Sequence, residues 1–114
     1  MTTEVKRSLG QLWQEYLFLT TEMKKFLDKQ DFDLFNELIR QREALQQIID
    51  KTPDDGFRIT AGSKACFQVI YQQNQLIRSK LEYLRNMAKR QNEVSSAYDS
   101  FTSSSVGSRM DWQL

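Results

Sequence analysis

The chain has 114 residues, with 16 Lys and Arg against 15 Asp and Glu and a net charge of +1, so it makes one small domain with no overall field directed at nucleic acid or a membrane surface. One proline and four glycines are too few turn formers for a β-sandwich or barrel. The absence of histidine removes the commonest general base and metal ligand, and a single cysteine excludes an intrachain disulfide or a cysteine-rich zinc site.

The first helix is expected over residues 3–29. Leu9, Leu12, Tyr16, Leu19, Met23 and Phe26 alternate steps of three and four, the spacing of an a/d seam. Trp13, Leu17 and Leu27 widen that seam into a face able to touch two helices. Gly10 weakens the helix start by about 1 kcal/mol relative to alanine. The stretch between Leu12 and Leu19 is broken by Gln14 and Glu15, so it is not a signal-peptide core. No apolar run approaches the ~20 residues of a membrane span, and the expected location is the cytoplasm.

Residues 28–31 form a turn, with Asp31 as N-cap and Asp33 in the first turn of a second helix over residues 32–50. So short a connection makes the two helices antiparallel neighbours. Phe35, Leu38, Ile39, Leu45, Ile48 and Ile49 form its buried face. Arg42 falls where that stripe should continue. It either snorkels from the edge of the face or is a partly buried charge that pairs with a carboxylate or a partner. Pro53 and the Asp55-Gly56 pair then end the helix and make the one real loop, and the adjacent Asp54 and Asp55 read as solvated turn residues. Thr60 or Ser63 caps the third helix.

Residues 61–101 contain no proline and read mostly as one long third helix. Cys66, Ile70, Ile77, Leu81, Leu84 and Ala88 lie on one line, and Cys66 there reads as a small core residue. Val69, Leu76, Tyr83, Met87, Val94, Tyr98 and Phe101 lie on a second line, roughly 100° round the helix. Lys64, Arg78, Lys80, Arg85, Lys89 and Arg90 against Glu82 and Glu93 read as a solvated face.

The fold class is therefore all-α: an antiparallel three-helix bundle over residues 1–101, with a long overhanging third helix and a short tail over 102–114. At about 1.5 Å per residue the third helix outruns its neighbours by the region of residues 82–90. Met87, Val94, Tyr98 and Phe101 lie on that overhang or at its root, where burying them contributes about 6–10 kcal/mol before ordering costs. That surplus, with Tyr83, is the expected partner-binding surface. A homodimer, the tail folding back, and a client helix laid in the groove are the three outlets. The tail is rich in serine but carries Met110, Trp112 and Leu114, so it either folds back on the helix or inserts into a partner. No catalytic signature, metal site or cofactor motif competes with this reading.

Phe26-Leu27-Asp28-Lys29-Gln30-Asp31-Phe32-Asp33, then Leu38-Ile39-Arg40-Gln41-Arg42-Glu43-Ala44-Leu45, and later Ser96-Ala97-Tyr98, give the chain a family likeness. It resembles the small cytoplasmic flagellar export chaperones of the FliT/FlgN kind. The resemblance implies an antiparallel helical protein without ATPase activity. Such a protein holds the amphipathic C-terminal helix of a late flagellar subunit, a filament-cap or hook-junction protein, and passes it to the export apparatus. It also implies that Tyr98 matches a late tyrosine implicated in docking to the export gate, and that Arg42 and Glu43 match a second-helix pair of structural or partner-binding role. The tail ending Met110-Asp111-Trp112 does not map onto the family pattern.

Two rival readings remain at this level. A coiled-coil structural or regulatory module that dimerises through the third helix needs only the overhang. A small helical enzyme of the chorismate mutase type could use Arg42 and Gln46, but it needs an arginine and a lysine facing inward from the first helix. The matching positions here are Leu9, Leu12, Tyr16 and Leu19.

Overall fold

The computed structural model describes residues 7–87 and 91–103. They form α1 (Leu9–Asp28), α2 (Phe32–Lys51), a single 3-10 turn (Phe57–Ile59), α3 (Ala61–Asn86) and α4 (Gln91–Ser103). The all-helical bundle expected from the periodicities is present. Of the tail expected over residues 102–114, Thr102 and Ser103 instead end α4, and residues 104–114 lie outside the described residues.

Local chemistry sets most of the helix boundaries. Ser8 Oγ accepts the Gln11 N–H at 3.2 Å, while Gln11 Oε1 accepts the Ser8 N–H at 2.8 Å. This reciprocal capping box satisfies two otherwise orphaned donors and starts α1 ahead of Gly10. Gly10 itself is a close-approach position. A Cβ there would lie 3.1 Å from the Phe57 ring, so glycine lets the 3-10 turn pack on α1. At the other end of α1, Gln30 takes a left-handed φ of 56°, and its N–H donates to the Leu27 carbonyl at 2.9 Å. Asp31 caps α2, accepting the Leu34 N–H at 3.2 Å. Thr60 caps α3, accepting the Ser63 N–H at 3.0 Å.

Packing follows an up-down order. α1 lies against both α2 and α3, and α4 lies against the same two helices from the other side. α1 and α4 are therefore diagonal, as are α2 and α3. Two surface clefts fix the direction of α4. One, of about 300 Å³, joins Phe32 and Asn36 at the start of α2 to Asn92 and Ser96. The other, of about 430 Å³, joins Ala44 and Gln47 to Ser100 and Ser103. So α4 runs parallel to α2 and antiparallel to α3.

The core has two halves. Near the α2–α3 connection, the Trp13 ring meets Phe67 edge-on at 4.7 Å and Tyr16 at 5.1 Å, with Leu12, Leu45, Ile49, Cys66 and Ile70 around them. Burial pushes the Cys66 thiol above its ordinary pKa, as expected of a small core residue. The other half gathers Met23, Leu27, Phe32, Phe35, Ile39, Ile77, Leu81 and Leu84 with Val94, Ala97 and Phe101 of α4.

That second half corrects the reading of a long overhanging third helix. α3 ends at Asn86, and the Met87 N–H turns back to the Leu84 carbonyl at 3.1 Å in a tightened last turn. Neither proline nor glycine occurs between Asn86 and Gln91, so the break is not written in local propensity. Its driving force is burial. Straight continuation would leave Val94 and Phe101 wet and would also uncover Ile39, Ile77 and Leu81. Folding back sacrifices a few helical hydrogen bonds, each worth about 1 kcal/mol net, and buries side chains worth about 1.5–3 kcal/mol each. A smaller correction concerns Ile48, which was expected in the core and is exposed, while Gln46 is buried in its place and donates to Asp50 Oδ1 at 3.1 Å.

Candidate interaction surface and the buried arginine

The five residues expected to bind a partner are divided by the return of α4. Val94 is 1% exposed and Phe101 5% exposed, so both belong to the core and offer no open surface. Tyr98 sits half-buried at the α3–α4 edge. The Arg85 guanidinium lies 4.1 Å from its ring centroid, and its hydroxyl is 3.5 Å from Glu82 Oε2. Tyr83 and Met87 alone remain as open apolar side chains.

They do not stand alone on α3. Val69, Leu76, Tyr83 and Met87 are all between 39% and 55% exposed. The first three are spaced by seven residues and Met87 follows four later, so they form one straight row along the outer side of the helix. Exposed Ala65 extends it by one turn. The residues immediately beside the row are Gln72, Gln73, Ser79 and Lys80, so Lys80 is the one charge at its margin among the described residues. Its ammonium lies 5.9 Å from the Tyr83 ring centroid. This is the exposed half of the second apolar line. Its other half is the face that α4 buries.

Arg42 answers the question left by the sequence. It is 1% exposed and sits at the centre of the bundle. Its Nη1 donates to Thr20 Oγ1 at 2.8 Å and to Asn74 Oδ1 at 2.9 Å, so it ties α2 to α1 and α3. Its guanidinium lies 5.0 Å from the Tyr16 ring centroid and 5.6 Å from that of Phe101. No carboxylate is within ion-pair distance of it among the described residues. Arg42 and Glu43 are therefore not in direct contact, and the Glu43 charge acts on Arg42 through space, favouring its charged form. Adjacent residues on a helix point about 100° apart, and Arg42 takes the inward direction. Burial disfavours its charged form and lowers its pKa, while Nη2 is buried without a partner among the described residues. This is a structural lock between three helices, and α4 closes it through Phe101.

Tyr16 shares that environment. Its hydroxyl is buried without a hydrogen-bond partner among the described residues. Burial raises its pKa well above the ordinary value, with the Arg42 charge opposing and Glu43 adding to the rise. A raised acid pKa means the folded state favours the neutral phenol. Its contribution is complete below the unfolded value of about 10 and is lost as pH climbs above it. Tyr16→Phe is expected to raise stability at pH 8 by about 1 kcal/mol, by deleting an unsatisfied hydroxyl. It should also flatten the loss of stability between pH 9 and pH 11. Urea titrations at each of these pH values check this, and an unchanged alkaline slope would contradict the assignment.

Among the described residues, no helix is long and apolar enough to cross a membrane. No group of His, Cys, Asp and Glu among them is arranged to hold a metal ion. No family model, curated protein or solved structure matches the chain.

Proposed function

We propose that the protein is a non-enzymatic, cytoplasmic helix-binding chaperone of the flagellar export type. In this reading it holds the amphipathic C-terminal helix of a late flagellar subunit until the export apparatus receives it. The observation that carries the reading is the open apolar row Val69–Leu76–Tyr83–Met87 on α3. Side chains at seven-residue spacing along the outer side of a helix whose opposite side is already buried are what an amphipathic helix can pack against. Tyr83 and Met87 supply adaptable contact area, and methionine suits a surface that accepts more than one apolar pattern. The phrases around Asp28–Asp33, Arg42-Glu43 and Tyr98 agree with the family resemblance. Tyr98, half-buried on the edge beside Arg85, keeps the role of contacting the export apparatus.

The test is calorimetric titration of C-terminal helices from filament-cap and hook-junction proteins into the full chain, held near 1 μM. Tyr83→Ala and Met87→Asp are expected to weaken binding at least tenfold, about 1.4 kcal/mol, with the melting temperature unchanged. Absence of binding by every such helix would overturn the proposal. So would loss of the fold in either variant, because those side chains would then belong to the core.

A further inference from the structure

The row on α3 has a symmetry of its own. Measured from Leu76, Val69 and Tyr83 lie seven residues to either side, and Ala65 and Met87 lie eleven to either side. Turned end for end about Leu76, the row superposes on itself. Ala65 then meets Met87 and Val69 meets Tyr83, so a small residue faces a large one at each level, while Leu76 meets Leu76. The margins match in the same register. Lys80 comes opposite Gln73 at one level, and Gln72 comes opposite Ser79 at the next. Gln73 is half-buried and its Oε1 has no hydrogen-bond partner among the described residues. Rotating its terminal amide outward presents that oxygen to the opposing ammonium. A parallel pairing would instead stack the large residues at one end and leave a gap between the small ones at the other.

We infer that α3 is a self-complementary surface and that two copies of this chain pair antiparallel through it, with the two-fold axis at Leu76. The occupant is a second copy because the row's own residues satisfy both its size alternation and its sparse margin charge. The interface is small. From Ala65 to Met87 the row runs about 33 Å, on a helix about 10 Å wide. That is a few hundred Å² per chain, in the weak class below about 1,200 Å² in total. The dimer is therefore reversible and forms as concentration rises from about 10 μM to about 1 mM. This inference does not rest on client binding, which the titrations above measure near 1 μM.

Sedimentation velocity of the full chain over that range should show the average mass rising from monomer towards dimer. Leu76→Glu places like charges on the two-fold axis and should lower the association constant at least tenfold, with circular dichroism unchanged. The register is read with Val69→Lys and Tyr83→Glu. Each alone weakens pairing, whereas the double variant should pair at least tenfold more tightly than either, because the ammonium introduced on one copy meets the carboxylate introduced on the other. A mass that stays monomeric to about 1 mM overturns the inference, and so does a double variant no tighter than the singles.

Discussion

Val94→Asp is expected to destabilise the protein by about 3–5 kcal/mol, because it places an unpaired carboxylate in the core. Val94 is 1% exposed and packs with Ala97 and Phe101 against Phe35, Ile39, Ile77 and Leu81. Among the described residues the one buried guanidinium is already engaged elsewhere. Arg42, the nearest buried guanidinium in kind, is engaged at the Phe101 end of α4 with Thr20 and Asn74. The chain can relieve the strain by detaching α4, which limits the loss to the docking energy of that helix. Urea denaturation gives the magnitude. Hydrogen exchange gives the location, with protection lost first in α4 and in the α2 and α3 faces beneath it. A Val94→Asp protein of unchanged stability would mean that α4 does not pack where it is placed, and would return Val94 to the open surface expected from the sequence.

Trp13→Ala is expected to cost about 3–5 kcal/mol, the range for emptying a buried aromatic position. The Trp13 indole is 2% exposed, meets Phe67 at 4.7 Å and Tyr16 at 5.1 Å, and fills the half of the bundle that α4 does not reach. A small domain has about 5–15 kcal/mol in total, so this single change removes a large share of it. Thermal and urea melts check the size of the effect. A loss below about 1 kcal/mol would show that Phe57, Phe67 and Tyr16 collapse into the space. Taken together, the two substitutions probe the two core halves separately.

The two halves also differ in what each leaves for function. α4 consumes the apolar surface expected of the overhang, and leaves the α3 row as the open one. Tyr83 and Met87 belong to both of the proposed surfaces, so on these proposals a client helix and a second copy would exclude one another. Arg42 contributes to neither directly. Its bonds to α1 and α3 and the cover from Phe101 make a buried polar centre that specifies how the helices meet, at a stability cost set by the unsatisfied Nη2.

By itself the sequence determined most of what depends on neighbours along the chain. The three- and four-residue steps of Leu9 to Met23 made α1, Asp31 and Thr60 set the starts of α2 and α3, and Pro53 with Asp55-Gly56 placed the loop. It also put Cys66, Ile70, Ile77, Leu81 and Leu84 on one buried line of α3, and Val69, Leu76, Tyr83 and Met87 on a second line. Tertiary structure alone decided that the second line is cut, with Val69 to Met87 left outside and Val94 to Phe101 turned inward. The reason is energetic. Residues 87–91 are good helix formers and carry no local instruction to stop, so the turn is driven by burial summed over α2, α3 and α4, a quantity that no window of the sequence contains. The inward course of Arg42 was hidden for the same reason. Thr20 and Asn74, which make its burial tolerable, lie 22 and 32 residues away in the chain.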